Sequence, residues 1–237
     1  MQNYNKIAFQ KGGLRWQTIS EMPAIISNHR FFSVDVFDTL LFRLCRSPRD
    51  VFRFIENRLE VTGKIRYFSD YRIAAEQQAR EDASKNNRED VTLDEIYNCL
   101  EEMANCPKET TRYLKRVELE TEAALLQPTV FGQSLIRHIR DTNKRLLLTS
   151  DMYLPQGFVE AVLEAREITG WERLLLSNVQ GKTKHSGTLL STPDQKTKSR
   201  SSYWKKLCCL IRILSLQKLN WDGVMCTTQT MTGATRD

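Results

Sequence analysis

No apolar run in the 237 residues approaches the roughly 18 that a membrane-spanning helix requires. The opening residues, MQNYNKIAFQKGG, lack the continuous apolar stretch of a secretory signal, so a cytoplasmic location is expected. Metal-type cysteine pairs are missing too. The six cysteines (Cys45, Cys99, Cys106, Cys208, Cys209, Cys226) form no C-x-x-C with a second pair, and the adjacent Cys208 and Cys209 suit neither a disulfide framework nor a zinc site. Reduced thiols are expected. A basic stripe is absent as well: residues 192–237 hold eight Lys/Arg against three Asp/Glu, whereas the other 191 residues hold 27 against 26. The main body is therefore near neutral, and no nucleic-acid partner is expected. There is no internal repeat, and no low-complexity segment before residue 191.

What is present begins with an ordinary apolar fraction of 41%, enough for a sizeable core in one large domain or in a core with an insertion. The organising stretch is FFSVDVFDTLLFR (31–43). It reads as a short buried strand, a carboxylate at its end, a tight polar break, then apolar sequence again. Asp35 and Asp38 stand among Val34, Val36, Phe37 and Leu40, where a carboxylate is costly to bury unless paired, hydrogen-bonded or metal-bound. One reading is a strand ending in a solvated Asp turn. The other is a carboxylate nucleophile and metal ligand at the carboxyl edge of a parallel sheet, where open α/β folds place their sites.

The leader, residues 1–30, suggests a short helix capped within 18–23. After Arg43 the pattern turns helical. Ser47-Pro48-Arg49-Asp50 starts a helix with apolar residues at helical spacing and a closing Gly63, and 70–83 is charged and helix-favouring. Thr92 and Glu95 have capping-box spacing for a helix towards Met103, and 108–126 continues as a Glu-rich helix ending near Pro128. Strand-like sequence returns at 145–150 after a helix over 129–142. A helix over 156–168 and a break at Gly170 then lead to a short apolar run, 174–177. Strand, helix, strand at this spacing predicts a parallel sheet with crossover helices, and makes the preceding helices an insertion.

Three polar residues punctuate the strand ends: Asp35, Ser150, and Lys184 within GKTKHSGTLL. Ser150 alone reads as a turn residue and Lys184 alone as a solvated one. Together they suit phosphoryl transfer without a P-loop: the carboxylate attacks phosphorus, the hydroxyl fixes a phosphate oxygen, and the ammonium neutralises charge. Arg43 and Arg46 are candidate contacts for an anionic substrate, with solvated or insertion-pairing roles as the plainer reading. His185 reads as an exposed loop residue.

On these motifs the chain resembles the haloacid dehalogenase-like (HAD) hydrolase superfamily: VDVFDTLLFR its first motif, LLLTSDMYLP its second, KTKHSGTLL its third. It is similar, more narrowly, to a bacterial group of predicted hydrolases often associated with surface-polysaccharide genes. Those share the DVFDTL and SDMYLP wordings and insert stretches like YRIAAEQQAR (71–80). The resemblance covers about residues 30–190. It implies an α/β, Rossmann-like core over 1–44 and 129–191, a helical cap over 45–128, and Mg²⁺. By motif position Asp35 would be nucleophile and metal ligand, and Ser150 and Lys184 phosphate and charge anchors. The implied activity is hydrolysis of a small phosphorylated substrate through an aspartyl-phosphate.

Two departures qualify this. Family phosphatases carry a second Asp, the general acid/base, two residues after the nucleophile. Here Phe37 holds that place and Asp38 falls where Gly is usual, so Asp38 stands as the fourth candidate catalytic residue, with capping the turn as its alternative role. An aromatic residue there also occurs in the dehalogenase branch. The fourth motif, an acidic cluster completing the Mg²⁺ site, has no counterpart: the tail offers only Asp194, Asp222 and Asp237, widely separated. The sheet is accordingly expected to be incomplete at the C-terminus. The alternative function is a catalytically inactive or truncated HAD-like protein, a binding module or without activity, and a further alternative is dehalogenase-type hydrolysis through the same aspartate.

For the basic tail 192–237 there are three readings. One is an amphipathic helix over 203–219, for a partner or an anionic membrane. The second is a disordered extension. The third, which we prefer, is an out-of-frame segment. With each codon begun one base earlier, those near 225–235 permit the spacings of the family's His-x-Gly-Asp-Asn-x-x-Ser-Asp pattern, though not its Gly. The nucleotide sequence decides it.

Overall fold

The computed structural model describes residues 22–27, 29–60 and 67–189. The expected capping residues 18–21, the helix close at Gly63, and the tail 192–237 with Asp194, Asp222 and Asp237 lie outside the described residues.

Three strands form a parallel sheet: β1 (Phe31–Asp35), β4 (Arg145–Ser150) and β5 (Arg173–Leu176), in the order β1-β4-β5. Their burial follows from position. The central β4 is buried from Leu146 to Ser150, as a strand covered on both faces should be, and its middle is the apolar run Leu146–Leu148. Along β1 burial alternates, with Phe32 and Val34 inward and Phe31, Ser33 and Asp35 half-buried. Parallel register pairs Asp35 with Thr149, and Ser150 with Leu176. The carboxyl ends of all three strands therefore share one edge. The connections are helical, with α6 (Val130–Asp141) before β4 and α7 (Gln156–Ala165) between β4 and β5. A short α1 (Met22–Ser27) precedes β1, and α8 (Ser177–Gln180) follows β5.

Two short strands that the sequence reading did not anticipate, β2 (Leu41–Arg43) and β3 (Leu126–Pro128), pair antiparallel. Their ribbon brackets an insertion of four helices: α2 (Asp50–Glu60), α3 (Phe68–Lys85), α4 (Leu93–Ala104) and α5 (Lys108–Leu125). The expected capping box is present, Thr92 Oγ1 accepting from Glu95 N while the Glu95 carboxylate accepts from Thr92 N. No helix among the described residues is long and apolar enough to cross a membrane.

Insertion and sheet share one hydrophobic core, in which Val34, Val36 and Leu148 join Val51, Phe68, Ile96 and Leu114. A polar knot is buried where they meet. The fully buried Arg72 guanidinium donates to both oxygens of Glu118, from Nε at 2.8 Å and Nη2 at 2.9 Å, and to Glu76 at 3.1 Å. Tyr97 Oη donates to Glu118 at 2.8 Å, and the rings of Phe52 and Tyr153 lie 4.5 and 5.0 Å from the guanidinium carbon. Tyr153 belongs to the loop after β4, so this cation ties the insertion to the sheet edge. An unpaired charge there would cost several kcal/mol.

Candidate active site

Asp35 ends β1, and its carboxylate folds back on its own strand, Oδ1 accepting from Val36 N at 2.8 Å. The chain then turns tightly. Leu40 N and Leu41 N both donate to Val36 O at 2.9 Å, and Asp38 N donates to Leu41 O at 2.7 Å. Asp38 sits at the apex with φ 57°, the left-handed region that L-residues enter at a cost and that Asp tolerates better than most. That backbone demand explains a Gly preference at this place. From outside, Thr129, the N-cap of α6, secures the turn: its Oγ1 donates to Thr39 O at 2.6 Å and its N to Leu40 O at 2.9 Å.

Of the four candidate residues, the structure joins Asp35 and Lys184 directly and puts Ser150 at the end of the adjacent strand. Ser150 stands on the neighbouring strand one residue beyond the level of Asp35, and Lys184 reaches in from the loop after α8, its Nζ 2.6 Å from Asp35 Oδ1. The side chains of Asp35 and Lys184 are 17% and 16% exposed, so the pair is enclosed but reachable. Burial pushes the Asp35 carboxyl above its ordinary value, the Lys184 ammonium opposes this, and the nearby Asp151 charge adds to the rise.

Asp38 is not part of this group. It is exposed, and no hydrogen bond or ion pair among the described residues joins it to Asp35, Ser150 or Lys184. Its charge is felt instead by Arg43, whose guanidinium lies 5.0 Å from the centre of the buried Phe37 ring. Arg43 Nε donates to Glu122 at 2.8 Å, so this arginine pairs with the insertion, while Arg46 and His185 are exposed.

Several residues that sequence reasoning passed over hold the site together. Asp151 Oδ1 accepts from Lys184 N at 2.7 Å, fixing the backbone of that lysine. Ser177 accepts from Met152 N at 2.8 Å and donates in turn to the buried Asp90, which also takes Arg80 Nη1 at 2.7 Å. Asp90 lies between α3 and α4, so the insertion grips the loop after β4. The only available signal for Asp151 was its place beside Ser150 in the SDMYLP wording. For Asp90 and Ser177 no spacing gave a hint.

A divalent cation has a partial donor set here. Asp35 and Asp151 are two close carboxylates with one oxygen each engaged, which suits Mg²⁺, an ion that commonly takes one or two carboxylates together with waters and phosphate oxygens. No group of three His, Cys, Asp or Glu among the described residues forms a cage for a metal. A separate cleft of about 570 Å³ lies between the start of α2, α3 and Tyr153, and its lining includes none of Asp35, Ser150 and Lys184.

No family model matches the chain, and no curated protein matches it. Among solved structures it is similar to a protein described as a beta-phosphoglucomutase from Thermotoga maritima. The identity is 11%, the TM-score 0.41, and the match covers 63% of this chain and 62% of that one. It is also similar to a predicted phosphoglycolate phosphatase from Haemophilus somnus 129PT, with 12% identity, TM-score 0.38, and 62% of each chain covered. The chain thus matches less than two thirds of the length of either protein, and likeness of this degree fixes neither activity nor substrate.

Proposed function

We propose that the chain is a HAD-type hydrolase acting on a small phosphorylated substrate, with Asp35 as nucleophile and an aspartyl-phosphate as intermediate. The observation that carries this is the 2.6 Å contact between Lys184 Nζ and Asp35 Oδ1 at the carboxyl end of a parallel sheet, with Ser150 on the adjacent strand. A carboxylate oxygen of Asp35 attacks phosphorus, and the P–O bond to the substrate breaks. The leaving oxygen departs with the bonding electrons and takes a proton. Water then attacks the acyl phosphate, releasing inorganic phosphate and restoring the carboxylate. Lys184 offsets the charge of nucleophile and phosphoryl group, and Ser150 donates to a phosphoryl oxygen.

Asp35 and Asp151 would hold Mg²⁺, which would supply charge neutralisation at the phosphoryl oxygens. The helical insertion, 45–128, serves as the cap over a core built from 1–44 and 129–191. The location is cytoplasmic, and the near-neutral main body gives no reason to add a nucleic-acid partner.

Phe37 favours a second reading. A buried aromatic ring against Arg43 stands where an acid/base carboxylate would serve, which fits a HAD-like binding module without catalysis. A generic phosphoester with Mg²⁺ separates the two. Turnover by the purified chain that disappears in Asp35→Asn supports the enzyme, and turnover unchanged in that variant rejects Asp35 as nucleophile. Phosphate binding without turnover supports the module.

A further inference from the structure

We propose that Glu89, on the helical insertion, is the positioning residue for Lys184: its carboxylate holds the loop that presents the ammonium to Asp35. The chemical consequence rests on the function proposed above, whereas the placement of the lysine does not. Residues 181–189 have little regular structure, and their polar groups converge on this one side chain. Glu89 Oε2 accepts from Thr183 N at 2.8 Å, Thr183 Oγ1 at 2.9 Å, Ser186 Oγ at 2.6 Å and Thr188 Oγ1 at 3.1 Å. Glu89 N donates back to Gly181 O at 3.3 Å. An ionised carboxylate, which only accepts, suits four donors, and their company holds Glu89 low, at about 2.

The anchor is itself anchored. Arg88 donates to both oxygens of Glu95, the residue that closes the capping box of α4, and to Asp90 O at 3.0 Å. Asp90, the next residue after Glu89, grips Ser177 and Arg80. Glu89 thus projects from a braced turn. The result at Lys184 is specific. Thr183 N is held by Glu89 from the insertion, and Lys184 N by Asp151 Oδ1 from the sheet edge, at 2.8 and 2.7 Å. Two successive amides fixed from two sides set where the lysine's Cα stands, and hence whether Nζ reaches Asp35. Seating the insertion and completing the charge at the nucleophile become one event.

The test compares the acylation rate of the Lys184 ε-amine with that of Lys182 in the same loop, read by mass spectrometry on the full chain. Asp35→Asn, which removes the carboxylate that meets Lys184 at 2.6 Å, sets the scale. Glu89→Ala is expected to raise Lys184 labelling several-fold towards that scale, as is Ser186→Ala combined with Thr188→Ala, which weakens the same cluster from the other side. Glu89→Asp is expected to restore part of the protection. With a generic phosphoester and Mg²⁺, kcat in Glu89→Ala falls about ten- to a hundredfold with a smaller change in KM, the mark of a misplaced catalytic group. Lys184 labelling that stays at the wild-type level in both folded variants overturns the proposal. Labelling that rises while the wild-type chain turns over no phosphoester upholds the positioning role and rejects the hydrolase reading.

Discussion

Lys184 Nζ and Asp35 Oδ1 lie 2.6 Å apart although 149 residues separate them in the chain. Contacts of such sequence separation require that both loops be built and braced, and each is. The turn after Asp35 is bolted to Thr129, and the loop around Lys184 to Asp151 and Glu89. In a site this enclosed the attraction exceeds that of a solvated pair, so the ammonium tunes the carboxylate as well as locating it.

Removing the ammonium should therefore raise the Asp35 carboxyl further. Burial is the largest influence on Asp35 and pushes it up, Lys184 opposes, and Asp151 reinforces. In Lys184→Met the opposing influence is gone. A carboxylate nucleophile must be ionised, so dependent activity is present above its pKa and is lost as pH falls through it. The acid limb is then expected to move to higher pH in the variant. Carbon-13 NMR titration of the Asp35 carboxyl checks this without any substrate, and a midpoint that stays put or falls contradicts the assignment.

Asp38→Gly separates a turn residue from an acid/base. With φ 57° and an exposed side chain, Asp38 occupies a backbone position that Gly adopts freely. If its work is the turn, the variant keeps stability to within about 1 kcal/mol and its phosphoester turnover within a few-fold. General acid–base catalysis contributes on the order of 10²–10⁴-fold. A loss of that size in a folded variant would return Asp38 to the machinery.

The elements and the brackets between them were unequally legible. All three sheet strands and α2 to α7 follow from local signals. The apolar run of β4 marks a covered strand, and Thr92 with Glu95 marks the start of α4. Asp35 and Ser150 were legible as the polar ends of β1 and β4, which parallel register puts on one edge, whereas Lys184 stands in the loop after α8 and meets Asp35 only through the fold. The ribbon of β2 and β3 was not, since three residues of LFR or LQP carry no periodicity and pair only because the insertion returns the chain there. Glu89, Asp90 and Ser177 act through contacts made across the fold, and nothing local to any of them announces a partner.

Arg43 and Glu122 form a buried pair whose rupture should depend on pH. Their side chains are 8% and 1% exposed and meet at 2.8 Å, and Glu122 Oε1 has no partner among the described residues. Burial raises the Glu122 carboxyl above its ordinary value, and Arg43 restrains the rise. In Arg43→Met the rise is larger. Ionised Glu122 then loses its direct ion-pair partner and keeps only the Arg72 charge, a situation that costs up to about 3–5 kcal/mol. Because the folded pKa lies above the unfolded one, that cost is absent below the unfolded value and grows as pH rises through the folded one. Urea unfolding is expected to show a larger deficit at about pH 8 than at about pH 5, and Glu122→Gln in the same background should flatten the difference. A deficit equal at both values would mean that Glu122 is not the group responsible.

Two glycines offer opposite outcomes for the same substitution. A Cβ on Gly132, in the first turn of α6, would stand 2.7 Å from Thr129 Oγ1 and 2.8 Å from Leu40 Cα. Leu40 is fully buried and the contact is with backbone, so neither side has a flexible end to give way. Helix α6 and the turn after Asp35 would be driven apart, at about 1–3 kcal/mol for such overpacking. Gly157 lies in α7 with nothing within 4 Å of where a Cβ would stand, so Gly157→Ala should stabilise by up to about 0.5–1 kcal/mol through helix propensity alone. Urea midpoints moving down for Gly132→Ala and up for Gly157→Ala are the expected result. If both move up, α6 is not seated against the turn as closely as 2.8 Å, and the bracing of Asp35 by Thr129 fails with it. Because that turn also carries Asp38, the Gly132 variant should shift the amide NMR signals of 35–40, while the Gly157 variant leaves them in place.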